Sequence, residues 1–157
     1  MTKKVKKITI GSRDRCDFPE FELYDLACKI DTGADSSAIH CHRIKVIEDF
    51  RGVQNICFTL LDPSHNNFND LEFRTGEFHE RKVKSSNGIA TYRYVIKTKV
   101  VLFGQEIITD FTLADRENMK FPVLLGKRLL RNRFIVDVSL MDLSFKQKSS
   151  DNSAHLL

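Results

Sequence analysis

The chain has 157 residues, enough for one domain with a full hydrophobic core and too few for two comfortable ones. Hydrophobic residues make up 41% and charged residues 29%, an ordinary soluble composition in which Phe is the favoured aromatic and Trp is absent. The net charge of +4 is spread along the chain rather than gathered on one element, which argues against a nucleic-acid surface. No apolar run approaches the roughly 20 residues of a membrane span.

Residues 1–7 read as a basic leader, and Ile8–Ile10 is too short for the core of a signal peptide, so the expected location is the cytoplasm. Cys16, Cys28, Cys41 and Cys57 form no CxxC pair. In a reducing compartment they are expected as small buried hydrophobes.

The dominant period is two. Lys7 to Gly11 is a short strand, and Phe21 to Ile30 is a strand that delivers Asp31 to a turn. Ile56 to Leu61 is an apolar strand ended by Asp62-Pro63, and residues 63–71 are a surface loop. Tyr92, Tyr94, Ile96, Thr98, Val100 and Leu102 occupy alternate positions of a long half-buried strand, with Arg93, Lys97 and Lys99 between them. Asn87-Gly88 suits a type I′ turn, so residues 79–103 form one extended hairpin with that pair at its tip. Gly104-Gln105 turns the chain into a returning strand through Ile107, Thr109, Phe111 and Leu113. Phe121 to Gly126 is a short buried strand, Lys127 to Arg133 one or two helical turns, and Phe134–Val138 and Leu143–Phe145 complete the sheet. Residues 147–157 are polar and expected to be disordered, which leaves a single domain over 8–146.

Asp31-Thr32-Gly33-Ala34 follows an apolar strand, and small polar residues lead on from it to Ile39. Some ninety residues later come Pro122, an apolar triplet, Gly126 and a helix start. This pair resembles the retropepsin-like aspartic peptidases, which carry such a turn and a later hydrophobic-hydrophobic-Gly segment packed behind it, with a flap hairpin between. The order of Lys29–Ala34, Ser37–His40, Val83–Gly88, Tyr92-Arg93, Thr112–Met119 and Phe121–Lys127 is similar to the bacterial family labelled ATP-dependent zinc proteases, itself grouped with that fold. The resemblance runs from about residue 8 to residue 139. It implies an all-β, closed or semi-closed retropepsin-like (acid-protease) barrel with a flap hairpin and one short helix.

An aspartic peptidase needs two carboxylates that share one proton, one acting as base on a water and the other as acid toward the scissile carbonyl. The chain holds one Asp-Thr-Gly; Asp62, Asp110 and Asp137 lack the following Thr-Gly. A peptidase built from it must therefore be a homodimer that pairs Asp31 with Asp31 of a second copy. In that reading Asp31, Thr32 and Gly33 are catalytic, with Thr32 holding the turns across the twofold axis. Ala34, Asp35, Ser86, Asn87, Gly88, Arg93 and Arg116 would contact an extended peptide lying under the flap. The bland alternatives are an ordinary β-turn at Asp31 and solvated arginines at Arg93 and Arg116.

The zinc and nucleotide parts of the family label find little anchor. His79-Glu80 begins like HExxH, but Val83 stands where the second His belongs. His40 and His42 are weak metal candidates that would share one strand face, two ligands rather than three or four, with Cys41 on the other. Gly126-Lys127 ends like a P-loop, but Arg128 replaces the Ser or Thr. No cofactor is therefore expected unless zinc binds at the histidines, and ATP would enter through a separate partner. The leading expectation is amide-bond hydrolysis. The alternatives are a non-catalytic peptide-binding or assembly module on the same fold, and a zinc-dependent hydrolase using His40 or His42.

Overall fold

Side chains Ile96, Thr98, Val100 and Leu102 all turn inward while Lys97 faces solvent, as period two demands. The computed structural model describes residues 6–84, 87–115 and 120–155. Its strands, in chain order, are β1 Ile8–Ile10, β2 Arg13–Phe18, β3 Leu23–Ile30, β4 Ser37–Glu48, β5 Gln54–Leu60, β6 Glu72–Thr75, β7 Phe78–Lys84, β8 Ala90–Leu102, β9 Gln105–Ala114, β10 Val123–Leu125 and β11 Phe134–Val136. Helix α1 covers Lys127–Leu130, α2 covers Leu143–His155, and Pro19–Phe21 makes one 3-10 turn.

The main sheet runs β10-β3-β2-β8-β9-β4-β5-β6, and β10 pairs with β4 as well as with β3. That second pairing closes β3, β2, β8, β9, β4 and β10 into a ring, the expected barrel. The seam between β2 and β8 is thin, a single Asp17–Val101 pair. Strands β5 and β6 extend outward from β4, and β7 extends from β8 as the flap hairpin. β1 and β11 pair in parallel as a separate ribbon.

The barrel is filled by aromatic and aliphatic side chains. Phe18 and Phe111 meet edge to face at 5.1 Å, and Phe21 packs edge-on against both Phe58 and Phe73. Cys16, Cys28, Cys41 and Cys57 are free and buried, as expected of small hydrophobes. Burial pushes the Cys41 thiol up to about 12. No helix among the described residues is long and apolar enough to cross a membrane.

Three local readings change. β2 was not foreseen, because its inward face begins with Asp14. Leu143–Phe145 is the start of α2 rather than a strand, and the helix continues through His155 where a disordered tail was expected. The buried Asp14 carboxylate accepts from the amides of Ser144 and Phe145, at 2.9 and 3.1 Å, and so caps a helix 130 residues away in sequence. Lys148 then ties α2 to Asp17 and Asp25 at 3.0 and 2.8 Å.

The tight turn also falls elsewhere than expected. β7 ends at Lys84 opposite Ala90, so the flap closes through a longer connection than a two-residue turn. At its tip Gly88 is left-handed, with φ 82°. The type I′ requirement of two positive φ angles is met instead by Phe103 and Gly104, at 54° and 69°, between the paired Leu102 and Gln105.

Candidate active site

β3 and β10 run parallel, with Leu125 opposite Ile30, and the Asp31 amide bonds the Leu125 carbonyl at 2.9 Å. The turn that follows is local carboxylate chemistry: Asp31 Oδ1 accepts from the Gly33 amide at 3.0 Å, and the Ala34 amide bonds the Asp31 carbonyl at 3.3 Å. Asp31 is half-buried, and Thr32 and Gly33 are exposed. The second carboxylate oxygen of Asp31 has no ion-pair or hydrogen-bond partner among the described residues.

The segment after β10 grips the turn from behind. The Ala34 and Asp35 carbonyls accept from the Lys127 and Arg128 amides at 2.8 and 3.1 Å, using N–H groups that open α1. The Ser37 hydroxyl accepts from the Gly126 amide at 3.0 Å. A Cβ on Gly126 would lie 2.5 Å from the Ser36 carbonyl oxygen and 2.9 Å from that of Ala34, so only glycine lets the two segments come this close. The later motif thus packs behind the carboxylate turn, as the resemblance implied.

Not every expected contact residue is free to meet a ligand. Asp35 is paired with Arg128 at 2.9 Å, which fastens the turn to α1. The same Arg128 stands where a P-loop needs a hydroxyl. Asn87 and Gly88 are exposed at the flap tip, and Arg93 is half-buried on β8. Ser86 and Arg116 lie outside the described residues. A side chain not singled out from the sequence joins flap to turn: Arg81, opposite Arg93, donates to the Ser36 hydroxyl and to Asp110, each at 3.3 Å. In the sequence it is one of several basic strand residues, and Asp110 is 29 positions away.

His40 and His42 both meet the 61–68 connection, as a shared strand face requires. Their partners differ, however. His40 Nε2 bonds Asp62 at 2.6 Å, whereas His42 Nδ1 bonds the Leu61 carbonyl and its ring stacks near Phe68. Asp62 is further held by Ser64, whose hydroxyl and amide, with His40 and His65 adding, keep its carboxyl well below the ordinary range. A cavity of about 200 Å³ lies between α2 and the barrel, and none of its lining residues belongs to the Asp31 turn.

A family model described as the retropepsin-like aspartic endopeptidase RimB matches residues 9–147. The chain belongs to the RimB-like family. Among its relatives, a protein of Shewanella pealeana named probable alpha-L-glutamate ligase is 31% identical over 133 residues, 85% of this chain and 29% of that one. A Desulfotalea psychrophila protein of the same name is 28% identical over 140 residues, 89% and 30% of the two chains. The RimB-like chain therefore spans under a third of the length of these curated relatives. A crystal structure of a Legionella pneumophila protein of unknown function superposes with a TM-score of 0.67 at 23% identity, covering 88% of this chain and 99% of that one, a likeness of fold.

Proposed function

We propose that the protein is an aspartic-type peptidase whose active site forms between two copies of the chain. The observation that carries this reading is the state of Asp31: a half-exposed carboxylate with one oxygen held by Gly33 and the other unengaged, on a turn braced by β10 and α1. Thr32 beside it is exposed and its hydroxyl bonds nothing among the described residues, so it is available to a twofold-related turn. Two such carboxylates brought together share one proton, because like charges that close do not both ionise.

The ionised Asp31 takes a proton from a water as the water oxygen attacks the scissile carbonyl carbon. The other Asp31 gives its proton to the carbonyl oxygen. Collapse of the tetrahedral intermediate breaks the C–N bond, the amine leaves with one proton, and the pair again holds one. The substrate lies extended under the β7–β8 hairpin, where a β-rich wall offers backbone partners.

The relatives named alpha-L-glutamate ligase support a glutamate-bearing peptide as the substrate class. Peptides bearing α-linked glutamates fit a site whose flap strands carry Arg81 and Arg93, since guanidinium groups pair carboxylates in bidentate fashion. Joining glutamate through an amide requires an activated carboxyl, so in this reading a ligase is the separate partner through which ATP would enter. A second reading, a non-catalytic peptide-binding module, rests on the single Asp-Thr-Gly, which gives one chain only half of a site.

The test is hydrolysis of a glutamate-terminated peptide, followed by mass spectrometry, with wild type and Asp31→Asn. Cleavage by the wild type and its loss in the folded variant supports the peptidase. Binding without cleavage in both supports the module.

A further inference from the structure

Pairing of β4 with β5 and the Leu61–His40 backbone bond at 2.9 Å bring the chain after β5 back over the buried His40 ring. There it turns tightly, with the His65 amide on the Asp62 carbonyl at 3.0 Å, so that Asp62 and His65 project toward the same place. His40 Nε2 lies 2.6 Å from Asp62 Oδ2, His65 Nε2 lies 3.7 Å from the same oxygen, and ligand atoms of all three groups fall within 4.8 Å of one another. This is the one group of three metal-ligating side chains found among the described residues.

We infer that His40, Asp62 and His65 form a binding site for one zinc-class divalent cation. Donors about 2.0–2.2 Å from a tetrahedral ion stand roughly 3.3 Å apart, and 2.6 and 3.7 Å straddle that spacing. The third separation, between the two imidazoles, is within 4.8 Å and shortens when all three hold one ion. Two imidazole nitrogens and one carboxylate oxygen suit zinc, whereas magnesium and calcium take oxygen shells.

The hydrogen-bond arrangement at His40 points the same way. Its Nδ1 lies 3.3 Å from the Ala114 carbonyl while its Nε2 faces the Asp62 carboxylate, so both ring nitrogens face oxygen acceptors. A neutral imidazole has a single N–H. With that hydrogen on Nδ1, as a ligating histidine commonly places it against a carbonyl, Nε2 and the carboxylate are two electron-rich groups pointed at one spot. A cation there satisfies both, and a second proton is the alternative that the test separates.

The site differs from the one weighed on sequence grounds. His42 stands outside it, and the ligands are a strand histidine with an Asp-x-x-His turn rather than a helical HExxH. It also stands apart from Asp31. The His40 amide bonds the Pro122 carbonyl and the Asp31 amide that of Leu125, which sets the two at opposite ends of β10, about 10 Å of extended backbone apart. The metal therefore staples the 62–68 turn onto β4, the strand whose Ser37 holds Gly126. It does not activate the water at Asp31.

The full chain, stripped with EDTA, is titrated with zinc chloride by calorimetry, and its metal content and melting temperature are measured. Cobalt is used as a spectroscopic stand-in. We expect one zinc per chain, a raised melting temperature and visible cobalt bands of a tetrahedral site. His65→Ala, on the partly exposed turn, should keep its circular dichroism and lose at least about tenfold in zinc affinity, the loss that even a partner one layer out from a metal brings. His79→Ala, on exposed β7, should bind as wild type does. Failure of the stripped wild type to take up zinc, as expected if a second proton sits on His40, would overturn the inference. So would unchanged affinity in His65→Ala, or an equal loss in His79→Ala.

Discussion

Asp31 and Asp62 are built alike and used differently. Each follows a strand, and each accepts through Oδ1 from the amide two residues on, Gly33 at 3.0 Å and Ser64 at 2.8 Å. Beyond that shared turn the two part. Asp62 adds the Ser64 hydroxyl on Oδ1 and His40 on Oδ2, with His65 3.7 Å away, so both of its oxygens have partners. Asp31 adds nothing among the described residues, although the backbone around it is gripped at four points by β10, Gly126 and α1. A saturated carboxylate fastens the fold, and an open carboxylate on a rigid base is placed for chemistry. The Asp-Gly turn residues common to many proteins do not make this distinction; the partners do.

The largest expected effect comes from removing the open carboxylate. Asp31→Asn keeps the bond from Gly33 and should leave stability unchanged within about 0.5 kcal/mol, while kcat for peptide hydrolysis falls by roughly 10²–10⁴-fold. Thermal melts and steady-state kinetics on the same preparation check both halves. Next is the grip itself. Gly126→Ala pushes a methyl into the Ser36 and Ala34 carbonyls and should cost about 1–3 kcal/mol in urea unfolding.

The saturated carboxylate gives the reverse pattern to Asp31. Asp62→Ala, measured in EDTA, leaves the buried His40 Nε2 without its Asp62 partner and should cost about 1–3 kcal/mol. Because Asp62 titrates below its ordinary 3.8 in the folded chain, its contribution is whole above that pH and is lost as the solution is acidified further. The wild type should therefore lose stability below about pH 4 more steeply than Asp62→Asn, and parallel acid-unfolding curves would count against the comparison. Smallest is Arg81→Gln. Its ion pair with Asp110 is partly exposed, so unfolding should change by under about 1 kcal/mol, while KM for a glutamate-bearing peptide rises with kcat little changed.

Strands β8 and β9, the Asp31 turn and the segment packed behind it were legible in the sequence because each is encoded locally: period two in the strands, turn chemistry at Asp31-Thr32-Gly33, and the apolar triplet before Gly126; the barrel followed from the family resemblance that these motifs carry. What escaped depends on residues far apart. The cap of α2 is Asp14 on β2, and that same inward-facing acid hid β2 from a hydrophobic pattern. The hairpin tip was misread because Asn-Gly favours a two-residue turn, but the β7–β8 register leaves a longer connection, and the I′ geometry went to Phe103-Gly104, where an aromatic conceals it. At the candidate site His40 was visible and its partners were not, since Asp62 and His65 reach it only through the β4–β5 pairing. Arg81 escaped for the same reason, its partners Ser36 and Asp110 lying on other elements.

The central claim is that two Asp31 carboxylates make one site, and subunit mixing tests it most directly. Wild type and Asp31→Asn are mixed at constant total chain, allowed to exchange, and assayed on a glutamate-terminated peptide. If each active site needs both carboxylates, activity should follow the square of the wild-type fraction and stand at about one quarter in an equal mixture. A linear dependence, with about one half of the activity remaining, would mean that each chain works alone and would contradict the shared site.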